Sequence, residues 1–229
     1  MGTPVLILAS QSPRRRQMLA WTGLTYSTLP ADLDEGRRAG EDPSSYVSRL
    51  AAAKARAVAQ TAPAGAAVLA ADTIVADGDD LLGKPADDAQ ARAMLLRLRG
   101  RTHQVYTALA LLPQAGGDLY GDLCVSAVAM RAYTDEEMDS YIRSGDPLDK
   151  AGAYAIQNGP FHPVTDFSGC FASVMGLPLC HLLRTLRRAV QAGAPAGLLP
   201  PADVAQACQA ALAYACPVSA AILAGADAG

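Results

Sequence analysis

The chain has 229 residues, of which 51% are hydrophobic and 18% charged, and its formal net charge is −3. This length predicts one domain with a sizeable core, and the acidic balance argues against nucleic acid or an anionic membrane as partners. Five cysteines without a C-x-x-C pair are typical of reduced thiols in the cytoplasm. The sequence shows neither a membrane-spanning run nor a signal peptide, so we expect a cytoplasmic protein.

Hydrophobic periodicity and helix start and stop residues predict, in chain order, a strand, two helices, a strand, a helix, two strands, a helix, a short strand and two helices. Their ranges are 4–9, 12–22, 43–60, 67–76, 87–100, 103–112, 122–133, 134–144, 171–175, 178–191 and 202–214. Asp42 and Asp87 are predicted to cap the second and third helices, Thr134 to Glu137 to form a capping box for the fourth, and Asp77-Gly78 to form a turn. Because strands and helices interleave, the fold class is α/β. We expect one domain over 1–192 and an Ala/Pro-rich appendage with one helix over 193–229.

Three consecutive arginines, Arg14, Arg15 and Arg16, stand at the start of the first predicted helix, after Ser12 as N-cap and Pro13 at the first helical position. The first turn of a helix exposes unpaired N–H groups and a partial positive charge, so cations there are unfavourable unless an anion binds. A strand that leads into such a turn predicts an oxyanion cradle, with phosphate as its natural ligand. The alternative is a solvated basic turn.

Two charged residues interrupt apolar patterns. Lys54 falls on the apolar stripe of the predicted helix 43–60, so its ammonium either reaches solvent or meets an anion. Asp72 lies within the predicted strand 67–76, where aspartate is disfavoured. It is either an aspartate at a strand end, hydrogen-bonded to backbone, or a carboxylate that binds a divalent cation, activates water, or both.

Three further residues stand in loops or at element ends. Glu35 belongs to an acidic loop, where a carboxylate is either solvated or holds Mg²⁺. Lys84 stands in a Gly-Lys-Pro turn that suits a phosphate contact or a surface position. His103 is either a base or a structural histidine. Together these groups suit metal-assisted attack on a phosphoanhydride. The sequence has no P-loop, G-x-G-x-x-G or G-x-S-x-G motif, so a kinase or a dehydrogenase has no support.

Eight stretches, in this order, resemble the Maf family of nucleoside triphosphate pyrophosphatases. They are residues 9–15, 34–35, 53–55, 71–75, 82–85, 100–105, 148–157 and 174–178. The resemblance implies an elongated mixed twisted sheet flanked by helices, with two lobes around a cleft, and often a homodimer. It also implies hydrolysis of a nucleoside triphosphate to the monophosphate and pyrophosphate with a divalent cation, most commonly Mg²⁺, with Mn²⁺ or Co²⁺ as alternatives.

The resemblance also implies roles for individual residues. Asp72 matches the general base and, with Glu35, the metal-binding acids. The residues that match phosphate-binding positions are Ser10, Arg14, Arg15, Lys54 and Lys84. The residues at positions that set substrate preference are Arg14, Thr73 and Gln157. The segment that ends at Gln157 looks like the branch that acts on dTTP and UTP, and a glutamine amide is able to pair with the O4/N3 edge of a uracil-type base.

Two other functions stay open from the sequence. One is the same chemistry on 7-methyl-GTP or another modified nucleotide. The other is a non-catalytic regulator of septum formation, a process with which the family is associated. Two segments depart from the family pattern: the loop 158–170 looks longer than usual, and the tail after 193 lies outside the family core.

Overall fold

The structure, a computed structural model, describes residues 6–114 and 116–226. These residues form a six-stranded mixed sheet flanked by helices, which confirms the predicted α/β class. The strands are β1 (Leu6–Leu8), β2 (Tyr26–Thr28), β3 (Ala67–Asp77), β4 (Asp80–Leu82), β5 (Thr102–Leu112) and β6 (Tyr120–Ala129).

The sheet order is β2-β1-β3-β5-β6, with β4 paired to β3 outside this path. β1 runs parallel to β2 and β3, whereas the pairs β3–β4, β3–β5 and β5–β6 are antiparallel. The predicted Asp77-Gly78 turn is confirmed, because it joins β3 to β4 and Gly78 has a φ of 64°.

Eight α-helices lie among the described residues, and the first four begin where capping residues predict. They are α1 (Pro13–Ala20), α2 (Pro43–Ala59), α3 (Asp88–Leu98), α4 (Asp135–Arg143), α5 (Phe171–Val174), α6 (Leu179–Gln191), α7 (Val204–Leu212) and α8 (Ser219–Leu223). The side chains of Ser12, Asp42 and Asp87 accept hydrogen bonds from the first turns of α1, α2 and α3. Thr134 and Glu137 form the predicted capping box of α4.

The two faces of the sheet are covered by different helices. Alternate residues such as Val68 and Ala70 of β3 pack against the apolar stripe of α2. The residues between them, such as Leu69 and Ala71, face a larger cluster that includes side chains of α1, α3, α4 and α6. The central strands β1 and β3 are therefore buried on both faces, which explains why their sequences read as nearly continuous apolar runs.

One predicted strand is wrong. Residues 171–175 form the short helix α5, because an apolar run of this length does not distinguish a strand from one buried helical turn. The turn packs on β5 and β6, with Ala172 and Ser173 buried. The predicted strand 122–133 ends earlier, at Ala129. The strands β2 and β4, the helix α8 and the 3₁₀ turns at Asp146–Asp149 and Ala151–Ala153 lie in segments for which no element was predicted.

The residues after 193 pack against the rest of the chain. The helices α7 and α8 contact α6, and α7 corresponds to the helix predicted over 202–214. Leu198, Val204 and Cys208 belong to the larger core cluster. Division of the chain at residue 192 stays a prediction. No helix among the described residues is both long and apolar enough to cross a membrane.

Candidate active site

A cavity of about 540 Å³ opens between two groups of elements. One group comprises β1, α1, α2 and the middle of β3. The other comprises the β4 end, the 3₁₀ turns after α4 and the residues that follow α5. This arrangement confirms the predicted cleft. All nine predicted site residues line it, namely Ser10, Arg14, Arg15, Glu35, Lys54, Asp72, Thr73, Lys84 and Gln157.

Asp72 lies where one edge of β3 is open. β1 pairs with β3 as far as Leu69, and β4 pairs with it from Val75 onward. Both lie on the same edge, because β5 occupies the other one. Among the described residues no strand covers residues 70–74 on this edge, and Asp72 is in the middle of the gap. The alternative that Asp72 stands at a strand end is therefore wrong.

Lys54 joins α2 to the acidic groups of the cavity. Its Nζ lies 2.5 Å from Oδ1 of Asp72 and 2.7 Å from Oε1 of Glu35. Lys54 is buried, so the alternative in which its ammonium reaches solvent is wrong. The alternation of β3 side chains turns Asp72 toward α2, and the helical stripe turns Lys54 toward Asp72. The two residues that break the apolar patterns are thus paired with each other.

Burial raises the pKa of Asp72, and the charges of Lys54 and Arg15 partly oppose this rise. The raised pKa makes the carboxylate a stronger base than an exposed aspartate. Asp72 and Glu35 are hard oxygen donors that approach one point from two elements, since both contact the same ammonium. This donor set fits a divalent cation such as Mg²⁺, which one or two carboxylates commonly bind together with substrate phosphates.

Arg15 is held by a chain of hydrogen bonds that crosses the sheet. Its Nε donates to the carbonyl of Gly176 at 2.8 Å, and its Nη2 donates to Oγ1 of Thr73 at 3.0 Å. Thr73 is 2.9 Å from Oγ1 of Thr107, which donates to the carbonyl of Ser173 at 2.8 Å. Because Thr107 uses its hydrogen on Ser173, Thr73 is the donor between the two threonines. This chain fixes the orientation of the Arg15 guanidinium.

Arg15 is also the most deeply placed of the three arginines. Burial lowers its pKa, and the nearby Asp72 carboxylate partly offsets this effect. Arg16 lies outside the cavity and is exposed. Of the three consecutive arginines, Arg14 and Arg15 therefore line the cavity, whereas Arg16 is solvated.

The sequence analysis missed the roles of Asp149 and Lys150, although both fall within a motif that carries the resemblance. Arg14 Nη1 donates to Oδ2 of Asp149 at 3.3 Å. Asp149 is in turn bound by Nζ of Lys150 at 2.6 Å, and Lys150 also binds the carbonyl and the carboxylate of Asp146. Burial favours protonation of Asp149, but the Lys150 hydrogen bond and the Arg14 charge hold its pKa below the ordinary value. An Asp-Lys pair beside a Gly-rich turn is the signal that sequence reasoning could have used.

The remaining predicted groups lie at the rim or the base of the cavity. Ser10 is buried after β1, and its Oγ accepts from the backbone N–H of Ser12. Lys84 and Gln157 are exposed. The turn that carries Lys84 is fixed by the N–H of Gly152, which donates to the carbonyl of Gly83 at 3.0 Å. Lys84 and Gln157 are therefore placed to meet a ligand that enters from solvent.

His103 is structural, which was one of its two predicted roles. It does not line the cavity, and its Nε2 is 2.8 Å from the hydroxyl of Tyr154 in the core. Burial lowers the pKa of His103 to about 4, so the ring is neutral at pH 7.

The cavity is locally basic in an acidic protein. Its cationic side chains are Arg14, Arg15, Lys54, Lys84 and Lys150, and its anionic side chains are Glu35, Asp72 and Asp149. A local excess of cations inside a concave site attracts polyanions, while the net charge of −3 keeps nonspecific anion binding weak. The arrangement suits a small ligand with several phosphates.

The chain is similar to known proteins over most of its length. Residues 5–189 match the profile of the family described as Maf-like protein. The chain is 49% identical over 185 residues to a dTTP/UTP pyrophosphatase of Myxococcus xanthus, covering 81% of this chain and 92% of that protein. It is 46% identical over 188 residues to a dTTP/UTP pyrophosphatase of Anaeromyxobacter dehalogenans, covering 81% and 94%.

Solved structures resemble the chain more weakly. The Staphylococcus aureus Ham1 protein aligns with a TM-score of 0.41 and 14% sequence identity, over 56% of this chain and 72% of that one.

Proposed function

The chain belongs to the family of Maf-like proteins, and from this membership we propose that it hydrolyses dTTP and UTP to the monophosphate and pyrophosphate, as a house-cleaning enzyme of the nucleotide pool. The observation that carries the proposal is the buried Asp72–Lys54 pair at the gap in the sheet, inside a basic cavity. The proposal draws its substrates from the relatives named above, which are dTTP/UTP pyrophosphatases.

The triphosphate binds along the basic side of the cavity. The first turn of α1 presents N–H groups, and Arg14 and Arg15 add guanidinium donors to the same side. Lys84 approaches from the opposite rim. Arg15 is already oriented by Thr73 and Gly176, so less conformational entropy is lost when it binds a phosphate oxygen.

Glu35 and Asp72 are the residues that would hold a divalent cation, for which we propose Mg²⁺. Such a cation would neutralise charge on the phosphates and on the departing pyrophosphate. Lys54 contacts both of these carboxylates and holds them next to each other in the cavity.

Asp72 orients and deprotonates the attacking water. An oxygen–phosphorus bond forms at the α-phosphorus, the bond from this phosphorus to the bridging oxygen breaks, and the proton moves to Oδ of Asp72. The raised pKa of Asp72 favours this transfer, because burial stabilises the protonated carboxyl group, an effect that the charge of Lys54 only partly opposes.

Gln157 contributes to the choice of base. Its amide lies at the exposed rim of the cavity, where it presents a donor and an acceptor to the O4/N3 edge of uracil or thymine. Thr73 contributes indirectly, through its hydrogen bond with Arg15.

The test is incubation of the purified full chain with Mg²⁺ and separate triphosphates, namely dTTP, UTP, dCTP, GTP and 7-methyl-GTP, with products separated by chromatography. We expect monophosphate and pyrophosphate in equal amounts from dTTP and UTP. Diphosphate and free phosphate would contradict the proposed point of attack. A preference for 7-methyl-GTP would contradict the proposed base, and no turnover of any triphosphate would favour a non-catalytic role. Location in the cytoplasm and assembly as a homodimer stay predictions.

A further inference from the structure

A second cluster of reactive side chains lies outside the cavity. Cys124 of β6, Cys170 before α5 and His181 of α6 are all buried. One potential ligand atom from each lies within 4.8 Å of the other two. Three different elements therefore bring two thiols and an imidazole to one point in the core.

The side chains of Cys124, Cys170 and His181 indicate which metal ion this cluster would bind. Thiolate and imidazole are ligands of Zn²⁺ and similar borderline-soft ions, whereas Mg²⁺ prefers oxygen. Within the described residues, Nδ1 of His181 is buried without a hydrogen-bond partner. A buried imidazole nitrogen in that state carries a desolvation penalty, and the cluster has no carboxylate that would satisfy it.

A fourth ligand is available from the C-terminal tail. The thiol of Cys216 donates a hydrogen bond at 3.8 Å to the carbonyl of Gly169, the residue directly before Cys170. Cys216 follows α7, which packs on α6. The tail thus carries Cys216 to the edge of the Cys124–Cys170–His181 cluster, and three cysteines with one histidine are a common structural zinc set.

We propose that Cys124, Cys170, His181 and Cys216 bind one structural Zn²⁺ ion. On binding, each of the three thiols releases its proton to solvent and forms a sulfur–zinc bond, and the neutral imidazole donates through a ring nitrogen. Four protein ligands close the coordination sphere, so the ion holds no water for chemistry.

The ion would connect the tail to the wall of the active site. Cys170 directly precedes α5, and the residues after α5 include Met175 and Gly176, which line the cavity. The carbonyl of Gly176 accepts the hydrogen bond from Arg15. Residue 216 lies beyond the part of the chain that matches the family profile, which ends at 189. A zinc ion bound by Cys170 and Cys216 would therefore fix the tail next to the segment 170–176, whose Gly176 carbonyl orients Arg15.

The first test is titration of the reduced, metal-free full chain with Co²⁺, followed by ultraviolet and visible absorption. We expect thiolate-to-cobalt charge transfer and the d–d bands of a tetrahedral site, which saturate at one equivalent and disappear when Zn²⁺ is added. The carboxylates Glu35 and Asp72 do not produce thiolate bands, so the two sites are distinguished. Absence of charge-transfer bands would overturn the proposal.

The second test uses variants. Cys216→Ser is expected to retain the fold, because Cys216 is only partly buried, but to weaken Co²⁺ binding and change the d–d spectrum. Cys208→Ser is the matched control in the same tail, and its spectrum should equal that of the natural chain. Identical spectra for both variants would exclude Cys216 as a ligand. A Cys124–Cys170 disulfide, detected by mass spectrometry in protein purified without reductant, together with no zinc by elemental analysis, would overturn the site and indicate a redox pair.

Discussion

Two largely buried ion pairs in this molecule each join a helix to a strand of the sheet. They differ in how the cation meets the acid and in whether the acid lines the cavity. Arg184 of α6 binds Asp122 of β6 through two hydrogen bonds of 2.8 and 2.7 Å. Lys54 of α2 instead divides one ammonium between Asp72 and Glu35. The acids are similarly buried, with 6% of the Asp122 side chain and 9% of the Asp72 side chain exposed.

The geometry of the two pairs decides what each of them does. A guanidinium that meets both oxygens of a carboxylate satisfies that carboxylate and fixes the packing of α6 on the sheet. The Lys54 ammonium is instead shared between two acids that both line the cavity. Burial by itself therefore does not distinguish Asp72 from Asp122. Their positions do, because Asp72 lines the cavity at the open edge of β3 and Asp122 does not.

The largest difference is expected for loss of the acid in the active site. Asp72→Asn keeps the size of the side chain but removes the base, so we expect kcat to fall about 10³-fold. Steady-state kinetics with dTTP and UTP measure the loss, and circular dichroism checks the fold. Near-full activity in a folded variant would show that another group activates the water.

The matched substitution in the Arg184–Asp122 pair should lower the stability of the fold and leave the activity unchanged. Asp122→Asn replaces the charged acceptor of two hydrogen bonds from Arg184 with a neutral amide, so we expect the free energy of unfolding to decrease by about 2 kcal/mol. Activity per folded molecule should not change, because Asp122 does not line the cavity. Denaturant unfolding and kinetics on the same preparation test both parts, and a loss of kcat without a loss of stability would refute the distinction.

A third prediction concerns pH. The positive charge of Lys54 opposes the burial that raises the pKa of Asp72, so Lys54→Met should raise that pKa further. The base works only when deprotonated, so activity is lost as the pH falls through this pKa. We expect the acidic limb of log kcat against pH to move to higher pH in Lys54→Met. Arg184→Met is the control, and its limb should not move.

The smallest effect on activity is expected for a substitution of Asp149, at the rim of the cavity. Asp149 holds Arg14 through an ion pair in which 57% of the Asp149 side chain is exposed, and exposed pairs contribute below about 1 kcal/mol. Asp149→Asn should therefore raise KM for dTTP by about threefold with little change in kcat. Glu137→Gln, which breaks an exposed pair with Arg131 outside the cavity, is the control. An unchanged KM in Asp149→Asn would remove Asp149 from substrate binding.

Residues that contradict their local pattern could be singled out from the sequence. Lys54 lies on an apolar stripe and Asp72 inside an apolar strand, and the structure places their charged groups 2.5 Å apart. Residues 171–175 could not be assigned correctly, because one buried turn of α5 and a short strand have the same composition. Asp149 and Lys150 offered only the weak signal of an Asp-Lys pair beside a Gly-rich turn, and their contacts with Arg14 and Asp146 join residues that only the fold brings together.

The sequence by itself determined the order of most elements, the caps of α1, α2, α3 and α4, and the set of charged residues that form the cavity. These depend on local chemistry: helix starts need side-chain acceptors, and buried strands need apolar runs. Only the tertiary structure decided that β1 and β4 share an edge of β3 and leave Asp72 between them. It alone brought the tail cysteine Cys216 to the carbonyl of Gly169, next in the chain to Cys170. Strand register and helix docking are contacts between residues distant in sequence, and no local pattern encodes them.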